Sequence, residues 1–160
     1  MRGCIRIAEG VQCGGRTCMS KCVDNVRMLQ FTNTREADGR ECFLDVEGLK
    51  DVPFEIKRIF YIFGSDGSLV RGKHANRKSQ FVLLNISGKS KVKVIDENHE
   101  YKVYELDTPN KGIYLPQMVW KEMYDFSEDS ILMVLTNEYY DNSEYIRDFD
   151  DYVKIMQDNW

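Results

Sequence analysis

The run Phe81-Val82-Leu83-Leu84-Asn85-Ile86 is followed by Ser87-Gly88 and then by Lys91-Val92-Lys93-Val94. A short, nearly continuous apolar run bounded by a turn reads as a strand buried at the centre of a sheet. Ser87-Gly88 turns the chain, and the Lys/Val alternation that follows has the period of two of a strand with one wet face. Further along, Asp96 to His99 make a second turn, residues 101–106 return as a strand, and residues 113–115 and 130–136 complete the sheets. Upstream, residues 28–32, 42–46 and 54–63 read as strands rich in β-branched and aromatic residues. Between them lie a polar stretch with Asp38-Gly39 as its turn signal, a connection at 50–53, and then the loop Gly64-Ser65-Asp66-Gly67. Only the tail, residues 143–156, has helical spacing, with Tyr145, Phe149, Tyr152, Val153 and Met156 near one face.

Many short strands separated by Gly and Pro turns, with almost no helix, predict an all-β sandwich or barrel. The arrangement fits a jelly roll of the cupin type. Two segments are expected to build its pocket. Arg71-Gly72-Lys73-His74-Ala75-Asn76 sets one of the chain's two histidines between a Gly turn and the central strand. Leu115-Pro116-Gln117-Met118-Val119-Trp120-Lys121-Glu122-Met123 reads as a Pro-bounded turn carrying Trp, Lys and Glu. Imidazole is the side chain best suited to moving protons near neutral pH.

The chain has 160 residues, which is the size of one domain, and its 42% hydrophobic content suffices for a packed core. The net charge of −4 argues against a nucleic-acid binder. No apolar run approaches the ~20 residues that span a bilayer, and residues 1–21 lack the apolar region of a secretory signal, so the expectation is a cytoplasmic protein. Cys4, Cys13, Cys18 and Cys22 crowd the N-terminus, with four residues between Cys13 and Cys18 and three between Cys18 and Cys22. Structural zinc sites use tight, matched cysteine pairs, so this spacing reads as reduced thiols in an extension, residues 1–27, outside the core. Residues 28–160 form the expected single domain.

The residues carry a more specific resemblance. Ile56-Lys57-Arg58-Ile59-Phe60-Tyr61-Ile62-Phe63 is similar to the strand that precedes the active-site motif in the FdtA/QdtA-like (WxcM-like C-terminal) cupin family of dTDP-sugar 3,4-ketoisomerases. The segment from Arg71 to Asn76 resembles that family's R-G-x-H-A-H. Val119-Trp120-Lys121-Glu122-Met123-Tyr124-Asp125-Phe126-Ser127 resembles its V-W-x-E-M-x-D-F-S. Leu132-Met133-Val134-Leu135, Tyr139-Tyr140-Asp141 and Tyr145-Ile146-Arg147 resemble its closing segment. The likeness covers roughly residues 28–153.

The resemblance implies a homodimer with exchanged N-terminal strands, no metal and no cofactor, and a nucleotide-sugar substrate whose ketone moves from C4 to C3 through an enediolate. The product would feed amino-sugar and surface-glycan synthesis. The first motif's potential metal-ligand positions hold His74, Asn76 and Gln80, and the second motif brings Lys121; one good ligand is not a transition-metal site. The reaction needs a base near neutral pKa and donors at the developing oxyanion. His74 is the candidate base. Lys121, Asn76 and Tyr61 are candidate oxyanion donors, and Glu122 is the candidate carboxylate that orients the imidazole. Arg58, Arg71 and Lys73 are candidates for the diphosphate. Three positions depart from the family pattern: Asn76 replaces the second motif histidine, Cys42 stands where some members carry Tyr, and Lys121 where Arg or His is common. A non-catalytic sugar-nucleotide binding cupin, and an epimerase on a related substrate, are the alternatives these departures leave open.

Overall fold

The 81–86 run is the strand Phe81–Ser87, and it lies in the middle of a five-stranded antiparallel sheet. The computed structural model describes residues 21–35 and 42–159. Its elements in chain order are α1 (Lys21–Asp24), β1 (Arg27–Gln30), β2 (Asn33–Arg35), β3 (Cys42–Leu44), β4 (Arg58–Phe63), β5 (Arg71–Asn76), β6 (Phe81–Ser87) and β7 (Ser90–Ile95). There follow β8 (Tyr101–Leu106), β9 (Lys111–Leu115), β10 (Trp120–Tyr124), β11 (Ile131–Thr136), a 3-10 turn (Asn142–Glu144), β12 (Tyr145–Ile146) and α2 (Phe149–Asn159). One sheet has the order β1-β9-β6-β11-β4 and the second β12-β5-β10-β7-β8, while β2 and β3 form a separate pair. Two antiparallel sheets facing each other over a shared core make the all-β, cupin-like jelly roll the sequence predicts.

The central strand is apolar throughout because both its faces are covered. Phe81 and Leu83 point between the sheets into a core with Val92, Val94, Ile113 and Leu132. Val82 and Leu84 point the other way, under Phe31, Val52 and Phe54 from the chain that leads into β4. The buried Asn85 is satisfied from β8 and β7: its amide donates to the Leu106 carbonyl at 3.0 Å and its Oδ1 accepts from Ser90 at 3.3 Å. On β7 the alternation is as read, with Ser90, Val92 and Val94 buried.

Several elements differ from the sequence reading. The stretch 115–123, read as a turn, contains β10, which is held between β5 and β7. Its pattern was hidden because Lys121 is an inward residue, and a lysine at a core position breaks the apolar alternation. The 54–63 strand starts only at Arg58; before it, Phe54 packs as a loop residue in the outer core. The tail is helical only from Phe149, where Asp148 accepts from the Asp151 N–H at 3.0 Å as an N-cap. Phe149 and Tyr152 of this helix pack on Trp120, Phe149 edge-on with ring centroids 5.0 Å apart. Tyr145 is a strand residue instead.

The extension expected outside the core is partly inside it: Cys22, Val23 and Val26 are buried in the main cluster. These apolar side chains follow the cysteine spacing closely enough to be masked by it. Cys4, Cys13 and Cys18 and the Asp38-Gly39 turn lie outside the described residues. β1 pairs with β9, Met28 opposite Ile113. Among the described residues no helix is long and apolar enough to cross a membrane.

Candidate active site

The site depends on an irregularity in β5. Lys121 of β10 is paired with His74 and Met123 with Arg71, so β5 carries one more residue than β10 between these pairs. The extra residue is Lys73, at φ 53°, next to Gly72 at φ 87°. This β-bulge changes which side chains share a face. Arg71 and His74 are three apart, an odd spacing that would put them on opposite faces of a regular strand; the bulge brings both inward. Gly72 is required, because a Cβ there would lie 2.7 Å from the Lys121 carbonyl oxygen.

Arg71, Gly72, His74 and Lys121 line a cavity of about 230 Å³ between the two sheets. Phe60 and Ile62 of β4, Phe81 and Leu83 of β6, and Tyr145 of β12 form its apolar wall. His74 Nδ1 lies 2.9 Å from the Gly72 carbonyl oxygen. A carbonyl only accepts, so Nδ1 carries the proton and Nε2 keeps its lone pair. The ring packs on Tyr145 at 4.8 Å. Burial, then the Lys121 cation, hold the His74 pKa down to about 4, against the Gly72 carbonyl and the Asn76 side chain. His74 is therefore neutral at pH 7.

Lys121 is fully buried and donates from Nζ to Asn76 Oδ1 at 2.6 Å. Its ammonium lies 4.5 Å from the centre of the Phe81 ring. Burial lowers its pKa to about 7, opposed by the Glu144 charge. Asn76 is also buried, and its Nδ2 has no hydrogen-bond partner. Glu144 does not pair directly with the lysine: its carboxylate accepts the Ser79 N–H at 3.0 Å, the Lys78 N–H at 3.2 Å and the Ser79 hydroxyl.

Arg58 is placed on the inward side of β4, in step with Phe60 and Ile62. Its guanidinium lies over the Phe60 ring at 5.1 Å and near Tyr140 at 5.6 Å, and its buried Nε and Nη2 have no partner. Arg71 donates from Nε to Ser65 Oγ at 3.0 Å. Arg147 stacks on Tyr145 at 4.7 Å. Two cations, Arg71 and Lys121, thus line one cavity in a chain whose net charge is −4.

The structure brings His74, Lys121 and Arg71 together at the cavity with Asn76 bonded to Lys121, sets Arg58 at the start of β4 beside Tyr140, and separates three others from them. Tyr61 is on the outer face of β4, 52% exposed, because it alternates with Phe60 and Ile62. Glu122 alternates with Lys121 and Met123 and faces an outer groove with Lys93 and Tyr101, so it does not orient the imidazole. The Gly72 carbonyl does that. Lys73 is the bulged residue and is exposed. The Cys42 side chain lies outside the described residues. Sequence reasoning missed Glu144, which no spacing marks, treated Tyr145 as tail packing although it stands in the closing motif, and gave Arg147 no role. Among the described residues no three His, Cys, Asp or Glu side chains converge as a metal site.

A cupin-like barrel with a neutral histidine and a buried lysine in one cavity defines a proton-transfer or ligand-binding cupin. The family description "FdtA: WxcM-like, C-terminal" matches residues 24–157, and the chain belongs to that family. It is 40% identical over 119 residues to the TDP-4-oxo-6-deoxy-alpha-D-glucose-3,4-oxoisomerase of Aneurinibacillus thermoaerophilus, covering 74% of this chain and 85% of that protein. A histidine-to-asparagine variant of the 3,4-ketoisomerase QdtA from Thermoanaerobacterium thermosaccharolyticum, in complex with TDP-4-keto-6-deoxyglucose, superposes with a TM-score of 0.78 at 36% identity, over 85% of this chain and 96% of that one. The TDP-fucose-3,4-ketoisomerase WlaRA of Campylobacter jejuni gives 0.78 at 36% identity, over 85% and 99%.

Proposed function

We propose that this protein is a dTDP-sugar 3,4-ketoisomerase that converts a dTDP-linked 4-keto-6-deoxyhexose into its 3-keto isomer through an enediolate. The observation that carries this reading is His74. Its Nδ1 proton is committed to the Gly72 carbonyl, so Nε2 is a free base in a cavity walled by apolar side chains. Abstraction of the C3 proton by Nε2 places the electron pair in a C3–C4 double bond and the charge on O4, where the Lys121 ammonium stabilises it.

The volume of about 230 Å³ is below the ~300–1,000 Å³ of pockets that swallow a whole drug-sized ligand. It suits the hexose ring, with the nucleotide at the mouth. The unpartnered Nε and Nη2 of Arg58 are fit to meet a diphosphate oxygen. Purified protein is expected to convert dTDP-4-keto-6-deoxyglucose, with full rate after exhaustive chelation. A rate lost on chelation and restored by one added metal would contradict a residue-only mechanism.

The second reading, a binding cupin without turnover, is favoured by one observation, Asn76 in place of a motif histidine. It predicts tight dTDP-sugar binding with no proton exchange. A homodimer is the proposed assembly, formed by the outer face of edge strand β4, where Ile59, Tyr61 and Phe63 are exposed. Large apolar side chains on an unpaired edge call for a cover, and a second copy supplies one by two-fold symmetry. The proposed setting is the cytoplasm, where nucleotide sugars are made, and the proposed destination of the product is amino sugars for surface glycans.

A further inference from the structure

The base has an assigned group, but the other half of the reaction, protonation of C4, has none. We infer that Lys121 is the second proton-transfer group of this site and supplies the proton that forms the new C4–H bond. This rests on the ketoisomerase reading.

Three observations support it. First, Lys121 Nζ lies in the same cavity as His74, on the residue paired with it across β5 and β10. Second, its Nζ donates to a neutral acceptor, Asn76 Oδ1 at 2.6 Å, which leaves the other ammonium protons for a ligand. Third, it is fully buried with no carboxylate in ion-pair contact, a placement that weakens its hold on the third proton. The charged and titratable groups facing it are His74 and Arg71 of β5, Glu144 of the 3-10 turn and Tyr145 of β12, with Arg58 on the inward side of β4; β6, β7 and β11 contribute apolar side chains.

The bonds balance. The C3–H bond breaks, its proton goes to His74 Nε2, and its electrons form the C3–C4 double bond as the C4 carbonyl becomes O4⁻. The O3 proton passes to O4. The O3 electrons then form the C3 carbonyl, and the double-bond electrons take a proton from Nζ to form C4–H. The pair begins as neutral imidazole and ammonium and ends as imidazolium and neutral amine, so it carries one positive charge at both ends of the reaction. That constancy matters, since two neighbouring cations there disfavour each other. Solvent returns the proton from His74 to Lys121 between turnovers. Asn76 holds the amine in place.

The test separates the two half-reactions in deuterated water with dTDP-4-keto-6-deoxyglucose. In Lys121→Arg, which keeps the cation beside O4, exchange at C3 of the unreacted sugar should stay within about tenfold of wild type, while ketone transfer falls by ~10²–10⁴-fold, the scale of a lost general acid. The arginine variant is decisive: guanidinium keeps the charge and the donors but does not release a proton near neutral pH. Ketone transfer by Lys121→Arg within tenfold of wild type would overturn the inference. So would loss of exchange and transfer in the same proportion in Lys121→Arg protein that still binds dTDP. If the variant does not fold, the wild-type pH profile decides: ketone transfer should decline as pH rises through about 7, and transfer that stays level across that range refutes it. Wild-type protein that does neither half-reaction sinks the ketoisomerase reading, and this inference with it; an active wild type with the contrary variant results sinks this inference alone.

Discussion

His74 and Lys121 are each held below their ordinary proton affinity, and this has consequences for stability as well as for rate. The His74 pKa falls from 6.5 to about 4 on folding. Between those values the unfolded chain binds the proton and the folded one does not, so the folded state is fully favoured above pH 6.5 and loses that advantage as pH falls through about 4. For Lys121 the window runs from about 7 up to 10.5, and stability should rise with pH across it. Urea midpoints measured from pH 4 to 10 should show both slopes. Lys121→Met should flatten the alkaline one, and an unchanged slope in that variant contradicts the burial argument. Asn76→Asp puts a carboxylate against the amine and should raise the Lys121 pKa, moving the fall of ketone transfer to higher pH; a fixed profile would show that Asn76 does not set the amine's environment. The identities of His74, Asn76 and Lys121 as site residues were legible in the motifs. Tyr61, Lys73 and Glu122 were read inward because sequence gives neighbours, not faces, and each sits one residue out of step with an inward side chain.

At the scale of elements, the bulge in β5 is what makes a site out of two strands. Gly72→Ala introduces a Cβ at 2.7 Å from the Lys121 carbonyl oxygen, on a residue at φ 87°. Backbone at such a position does not yield cheaply, and a cost of about 1–3 kcal/mol is expected. Thermal melts should show a folded but weakened protein. Turnover should drop by ~10²-fold or more, the price of a reacting group misplaced by an ångström. A Gly72→Ala protein with wild-type turnover would mean that the bulge does not position His74. None of this was legible: an extra residue in a strand leaves no mark on hydrophobic periodicity, and R-G-x-H reads equally well as a turn. The same limit hid β10, whose inward lysine looks polar. By contrast β6 and β7 were read correctly, because burial on both faces and on one face leave distinct patterns.

For the whole molecule, the two sheets were legible from turn spacing and the family from four motifs in order, but the proposed assembly surface was not. Ile59, Tyr61 and Phe63 look like a core strand in sequence; only the sheet order shows that β4 is an edge and that alternate residues face outward at 49%, 52% and 71% exposure. The double variant Ile59→Lys/Phe63→Lys should therefore be monomeric by light scattering at concentrations where the parent chain is a dimer, with its melt little changed. A monomeric parent chain at ~100 µM, well above the dissociation constant of any stable interface, argues against that use of the face.

The central claim is that the barrel takes a proton from C3 of a 4-keto sugar and returns one to C4. Proton NMR of wild-type protein with dTDP-4-keto-6-deoxyglucose in deuterated water tests it most directly. The predicted result is loss of the C3 proton signal together with appearance of the 3-keto isomer carrying deuterium at C4. An unchanged sugar spectrum from folded protein that binds the nucleotide sugar would contradict it.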